Sequence, residues 1–253
     1  MFDLATWMMV FLRASAMMSI FPVFSTANIP VQLRIALSAL LAWLIVPGLP
    51  PVSLASGSLF GLVMQMLLEI TTGLLLGFVG RMLFYTLDAA GAIISAEIGL
   101  TLPSVMNPMG ETSATAPGII LNYLAALLWL SLDFHHWLLV GWQQSYSVLP
   151  IGAAHLHSAL LGDLIARSSQ LLVVAVLMTA PIIAVSFVIN LVFSVLGRAV
   201  PQMNVFSESF AVRIIVGLSV FGLSLQLMAQ HMLNYLRRLP DDILRVAQLL
   251  SGS

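Results

Sequence analysis

The stretch LFGLVMQMLLEITTGLLLGFVGRMLFYTL, from Leu59 to Leu87, decides how the chain must fold. It is apolar almost throughout and reads as a helix in an apolar environment, yet one bilayer crossing needs only about 20 residues. The run exceeds that length and carries Glu69 and Arg81 within it. An unpaired charge at mid-membrane costs about 2.5 to 3.5 kcal/mol even on insertion scales, so both groups must be paired or face water. Gly73, Gly77 and Gly80 stand at i, i+4 and i+7 and share one helix face. A face without side chains lets a neighbouring backbone approach closely, so helix packing is expected there. The competing reading is that glycine is simply frequent in membrane helices.

The rest of the chain has the same character. Of 253 residues 60% are hydrophobic and only 8% charged, where soluble domains average about 25% charged. So few charges cannot cover a soluble core of this size, and lipid or other subunits must solvate much of the surface. The nine basic residues are all arginine and face ten acids, a formal net charge of −1. No basic stripe exists to neutralise phosphates, which excludes a nucleic-acid partner. Cysteine is absent, so there is no disulfide, thiolate metal site or thiol nucleophile.

Further apolar runs occupy Leu4–Phe21, Ile35–Val46, Ile119–Leu132, Trp137–Val148, Leu171–Leu196 and Ile214–Leu236. Several fit one crossing poorly, so an all-α, polytopic bundle with kinked or partly inserted members is expected. Prolines punctuate it: Pro22 and Pro30, then Pro47, Pro50 and Pro51, then Pro103, Pro108 and Pro117, then Pro150 and Pro201. After Leu236, Arg237, Arg238, Asp241, Asp242 and Arg245 fall among Leu239, Ile243, Leu244 and Leu249. That tail, 237–253, reads as a short amphipathic surface helix, and its arginines favour a cytoplasmic C-terminus. Pro22 precedes Arg34 by the same twelve residues as Pro201 precedes Arg213, a break-then-helix echo between the halves.

Arg13, Glu69, Arg81, Asp88, Glu97 and Arg198 are the candidate buried charges. Structural ion pairing is the plainer reading. A carboxylate relay through Glu69, Asp88 and Glu97, as in a proton-coupled secondary transporter, is the rival from another class. Asp133-Phe134-His135-His136 and His155-Leu156-His157 lack good metal spacing, because adjacent helical histidines diverge by about 100°; polar residues at an interfacial helix junction, beside Trp129, Trp137 and Trp142, explain them better. No metal is expected. Phosphate-binding loops, dinucleotide fingerprints, nucleophile elbows and intramembrane protease patterns are all missing, so neither enzymatic activity nor a cofactor is expected.

An ordered series of motifs carries a resemblance. AEIGLTLPSVMNPMGETSATAP from Ala96, ILNYLAALLWLSLDFHHWLL from Ile120, LPIG from Leu149, INLVFSVLGRAVPQMNVF from Ile189 and FPVFSTANIPVQLRIALS from Phe21 together resemble the FliR family. That family is the export-gate subunit of the bacterial flagellar type III secretion system, with SctT as its injectisome relative. Its most specific piece is Pro201-Gln202-Met203-Asn204-Val205-Phe206, three residues after Arg198.

The resemblance implies a multi-pass subunit of the bacterial inner membrane, within the flagellar basal body, that builds a helical cone with FliP-like and FliQ-like partners. Unfolded protein substrates would cross its lumen, with FlhB-like and FlhA-like components alongside. It implies a FliP-like part over residues 1–150 and a FliQ-like part over 151–253. It also implies a channel plug at 103–117, with Pro103, Met106, Asn107, Pro108, Met109 and Gly110 as its expected residues; prolines restrict such a loop and methionines make an adaptable seal. With Gly73, Gly77 and Gly80, the residues Pro201, Gln202, Met203, Asn204 and Phe206 are expected to serve packing and assembly. An injectisome subunit is the alternative within the same resemblance. One departure stands out: Ser207-Glu208-Ser209-Phe210-Ala211 replaces the Gly-Phe-Pro-like turn of the family.

Overall fold

The computed structural model describes residues 3–25, 29–51, 59–101, 115–155, 157–202 and 204–252. The segment 102–114, with the plug residues Pro103 and Met106–Gly110, lies outside the described residues, as do Met203 and the side chain of Phe206. Among the described residues all regular structure is helical.

Helix α1 (Leu4–Ile20) starts where the Asp3 carboxylate accepts the N–H groups of Ala5 at 3.2 Å and Thr6 at 3.3 Å, satisfying donors that the first turn leaves open. Pro22 opens the short α2 (Pro22–Ser25), where its missing N–H is no loss. Helix α3 (Val31–Ile45) ends in a 3₁₀ turn at Val46–Gly48. The decisive stretch becomes part of α4 (Leu59–Ile98), 40 residues long. Gly99 ends it at φ +92°, a backbone region that L side chains rarely adopt, and the Leu100 N–H reaches back 2.8 Å to the Ser95 carbonyl.

Helices α5 (Ala116–Ser131) and α6 (Phe134–Val148) form a pair bent by 75°. Helix α7 (Ser158–Ala199) starts well before the apolar run at Leu171, and α8 (Val205–Ser251) runs past Leu236 and through Pro240. Hydropathy marks the membrane-compatible part of a helix and not its ends, because helical periodicity continues where polar residues enter. Among the described residues four stretches are long and apolar enough to cross a membrane, Val31–Gly48, Leu59–Ile98, Ser158–Ala199 and Ser207–Ser251, and the α5–α6 pair makes a fifth if it counts as one span.

The chain divides into two compact units, residues 1–83, 129–167 and 236–253 in one, 84–128 and 168–235 in the other. The first buries Met9, Met17, Phe21, Leu76, Trp129 and Trp142. The second buries Leu87, Ile94, Ile98, Leu121, Met178 and Met228, while α7 leaves Leu172, Phe187, Leu191 and Val195 exposed.

The tail corrects the reading of a separate surface helix. It continues α8 within the first unit, and Leu236, Leu239, Ile243, Val246, Ala247 and Leu250 are buried at three- and four-residue spacing. The amphipathic pattern was legible, but its apolar face meets the protein and not lipid. Its charged side is tied down as well: Arg167 pairs with Asp163 at 2.5 Å and Asp242 at 2.7 Å, and Arg245 pairs with Asp163 at 3.1 Å.

Truncating Ile243 to alanine should therefore destabilise the fold by about 2 to 4 kcal/mol, the range for a buried aliphatic side chain. Thermal unfolding of the detergent-solubilised protein measures this. An unchanged transition would return the tail to the membrane surface.

Candidate functional site: a buried ion pair beneath a glycine face

Arg13 on α1 and Glu69 on α4 are both fully buried, with 0% side-chain exposure. Arg13 donates from Nε to Glu69 Oε2 at 2.6 Å and from Nη2 to Oε1 at 3.0 Å. This fork-on-fork arrangement is the strong form of an ion pair. The remaining arms are used too. Arg13 Nη1 donates to the Leu149 carbonyl at 3.2 Å, the Gly152 N–H donates to Glu69 Oε1 at 2.9 Å, and the guanidinium carbon lies 4.2 Å from the Tyr146 ring centroid. One constellation thus joins α1, α4, α6 and the loop after α6.

The glycines explain how the two charges meet. A Cβ built on Gly73 would run into the Arg13 carbonyl oxygen and lie 2.8 Å from Ala16 Cβ. One built on Gly77 would lie 2.6 Å from the Met17 carbonyl oxygen, and one on Gly80 would overlap the Phe21 ring. Gly73 and Gly77 therefore seat α1 directly on the α4 backbone, and Gly80 makes room for the Phe21 ring just beyond its end. Beyond them Arg81 Nη1 donates 3.3 Å to the Ile20 carbonyl, placing a cation at the C-terminal end of α1, where carbonyls lack helical partners.

Of the six candidate buried charges, only Arg13 and Glu69 are buried. Arg81 and Glu97 are half-buried, while Asp88 and Arg198 are exposed, which corrects their reading as buried groups. Asp88 accepts from Asn122 Nδ2 at 2.6 Å, and Arg198 occupies the last turn of α7, where a cation suits the helix end. An apolar sequence context does not say which way a side chain leaves its helix.

In the second unit Pro201 and Gln202 form an exposed turn before α8. Asn204 then caps α8, its Oδ1 accepting the Ser207 N–H at 3.4 Å. Ser207-Glu208-Ser209-Phe210-Ala211 accordingly continues as helix, and the Phe210 ring lies where a side chain on Gly99 would stand. The sequence reading missed Gly118: a Cβ on Gly91 would strike its backbone. Its position directly after Pro117 disguised it as part of a loop.

Residues 4–239 match the family of bacterial export proteins, family 1. The flagellar biosynthetic protein FliR of Pectobacterium carotovorum is 32% identical over 258 residues, covering 96% of this chain and 95% of the relative. The chain belongs to the FliR family of bacterial export proteins. Relatives of the same name from Caulobacter vibrioides and Escherichia coli are 31% and 27% identical, covering 92% and 94% of this chain and 93% and 92% of themselves. FliR-family proteins are export components and not enzymes, so the buried constellation has architecture to explain and no reaction.

Replacing Glu69 by Gln leaves Arg13 charged and unpaired in the interior, which should cost about 3 to 5 kcal/mol. The double replacement Arg13→Met with Glu69→Leu should recover most of that loss, because apolar groups of similar size often substitute for a buried pair. A double-mutant cycle on thermal unfolding checks both; equal losses in single and double variants would show that the ion pair is not the unit that matters. Leu at both Gly73 and Gly77 should abolish recovery of folded protein in the same assay, while Leu at the exposed Ala36 should not.

Proposed function

We propose that this chain is a subunit of the flagellar protein export gate in the bacterial inner membrane, where it forms with FliP-like and FliQ-like subunits the channel for unfolded substrates. The match over residues 4–239, with relatives named for flagellar biosynthesis, carries this reading. Its apolar surface supports it: Leu59, Phe60, Ile165 and Leu223 are each at least 70% exposed, which lipid or apolar subunits must cover. In this reading residues 1–150 are FliP-like and 151–253 FliQ-like, FlhB-like and FlhA-like components adjoin them, and Gly73, Gly77, Gly80 and the Pro201–Phe206 motif serve assembly. The loop at 103–117 closes the resting channel.

The geometry disfavours a proton-coupled transporter. Glu69 has both oxygens engaged by Arg13 and Gly152, so it is a locked structural acid and a poor relay. The flagellar names of the relatives favour the flagellum over an injectisome.

Expressed alone in detergent, the chain should be short-lived; co-expressed with FliP-like and FliQ-like subunits, it should elute with them as one stable complex. A long-lived monomer indifferent to those partners would sink the reading. Within that complex, deleting Met106–Gly110 should leave assembly intact and raise ion or small-solute leakage through reconstituted vesicles. An assembled deletion variant as tight as the parent would make the loop a connector.

A further inference from the structure

The break between α5 and α6 brings together groups that neither the ion pair nor the export reading uses. Asp133 adopts φ 56°, in the left-handed region, just before α6, and its side chain makes no capping hydrogen bond to the helix. The carboxylate lies over the first turn instead. Oδ1 is 3.7 Å from His135 Nε2 and 3.9 Å from His136 Nδ1, and one ligand atom from each of the three residues lies within 4.8 Å of the others. Both separations are too long for hydrogen bonds, so the oxygen stands between two ring nitrogens and bonds to neither.

We propose that Asp133, His135 and His136 form a binding site for one divalent transition-metal ion of the zinc or cobalt kind. Two imidazole nitrogens and one carboxylate oxygen suit such ions and not magnesium or calcium, which prefer oxygen alone. Around a tetrahedral ion with bonds of about 2.0 to 2.2 Å, ligand atoms stand about 3.3 to 3.6 Å apart. The pairs here must close by a few tenths of an ångström for the carboxylate–imidazole contacts and by at most about 1.5 Å for the widest. Asp133 and His136 are 69% and 68% exposed, so side-chain rotation suffices. His135 offers Nε2 because its Nδ1 is buried without a partner, and the His135 ring is held against Trp129 at a centroid distance of 5.7 Å. One ring is therefore oriented in advance.

The adjacent histidines do not diverge as in the sequence reading: their ring centroids lie 4.1 Å apart. The third ligand precedes the helix and reaches both rings because of its left-handed backbone, a conformation aspartate tolerates better than most residues. A bound ion would join Asp133 to the first turn of α6 and stiffen the 75° break.

The test uses the full chain, co-purified with its export-apparatus partners through a tag free of histidine and titrated with Co²⁺. The expected result is saturable binding of one Co²⁺ per chain, visible by absorption and displaced by Zn²⁺ but not by Mg²⁺. H135Q and H136Q should each weaken it at least about tenfold, as losses in a metal's surroundings do. A variant carrying H155N and H157N should bind like the parent. Zn²⁺ should also raise the thermal midpoint of the parent and not of H136Q; this substitution at an exposed position should leave elution and unliganded stability unchanged. Absence of saturable binding, or equal binding by parent, H135Q and H136Q, overturns the site.

Discussion

The structure of the first unit depends on the pairing of Arg13 with Glu69. Each charge is fully buried, and removing one ion from water costs several kcal/mol even after relaxation. That penalty is offset only when the geometry is good and the remaining hydrogen-bonding positions are filled. Both conditions are met by the paired contacts at 2.6 and 3.0 Å, the Leu149 carbonyl and the Gly152 N–H. The contact in turn needs α1 and α4 closer than ordinary side chains permit, and Gly73 supplies the space beside the Arg13 backbone. An apolar pair could match the energy, but it would tolerate sliding. The ion pair closes only when α1, α4 and the loop at Gly152 are in one register, and that specificity is what its cost secures.

The features most legible in the sequence were those set by period and composition. The glycine spacing placed three positions on one face of α4, and charges in an apolar run had to find partners. Neither could reveal the partner itself: Arg13 and Glu69 are 56 residues apart in sequence, and nothing local distinguishes Arg13 from the exposed Arg198. Helix ends were poorly legible for the same reason. The turn at Asp133 was also hidden, because aspartate before an aromatic residue does not announce a left-handed backbone, and that one torsion carries its carboxylate to the two histidines. The amphipathic tail is legible as a pattern but not in what it touches, since periodicity gives a face but not its neighbour.

Sorting the charged groups by surroundings separates architecture from interface. Arg13 and Glu69 are satisfied inside one unit, and Asp163, Arg167, Asp242 and Arg245 form a second connected set where α7 begins and α8 ends. Such groups need nothing from outside. Asp88 and Arg198 are exposed, on helices whose lengths and apolar composition suit a membrane. A charge on such a surface cannot face hydrocarbon cheaply, so it requires the interfacial region, an aqueous lumen or a polar contact with another subunit. Exposed Leu172, Phe187 and Val195 on α7 make no such demand and suit lipid or an apolar partner. The same surface therefore carries two kinds of unfinished business. Apolar cover meets only one of them; the exposed charges need water, the interfacial region or a polar neighbour as well.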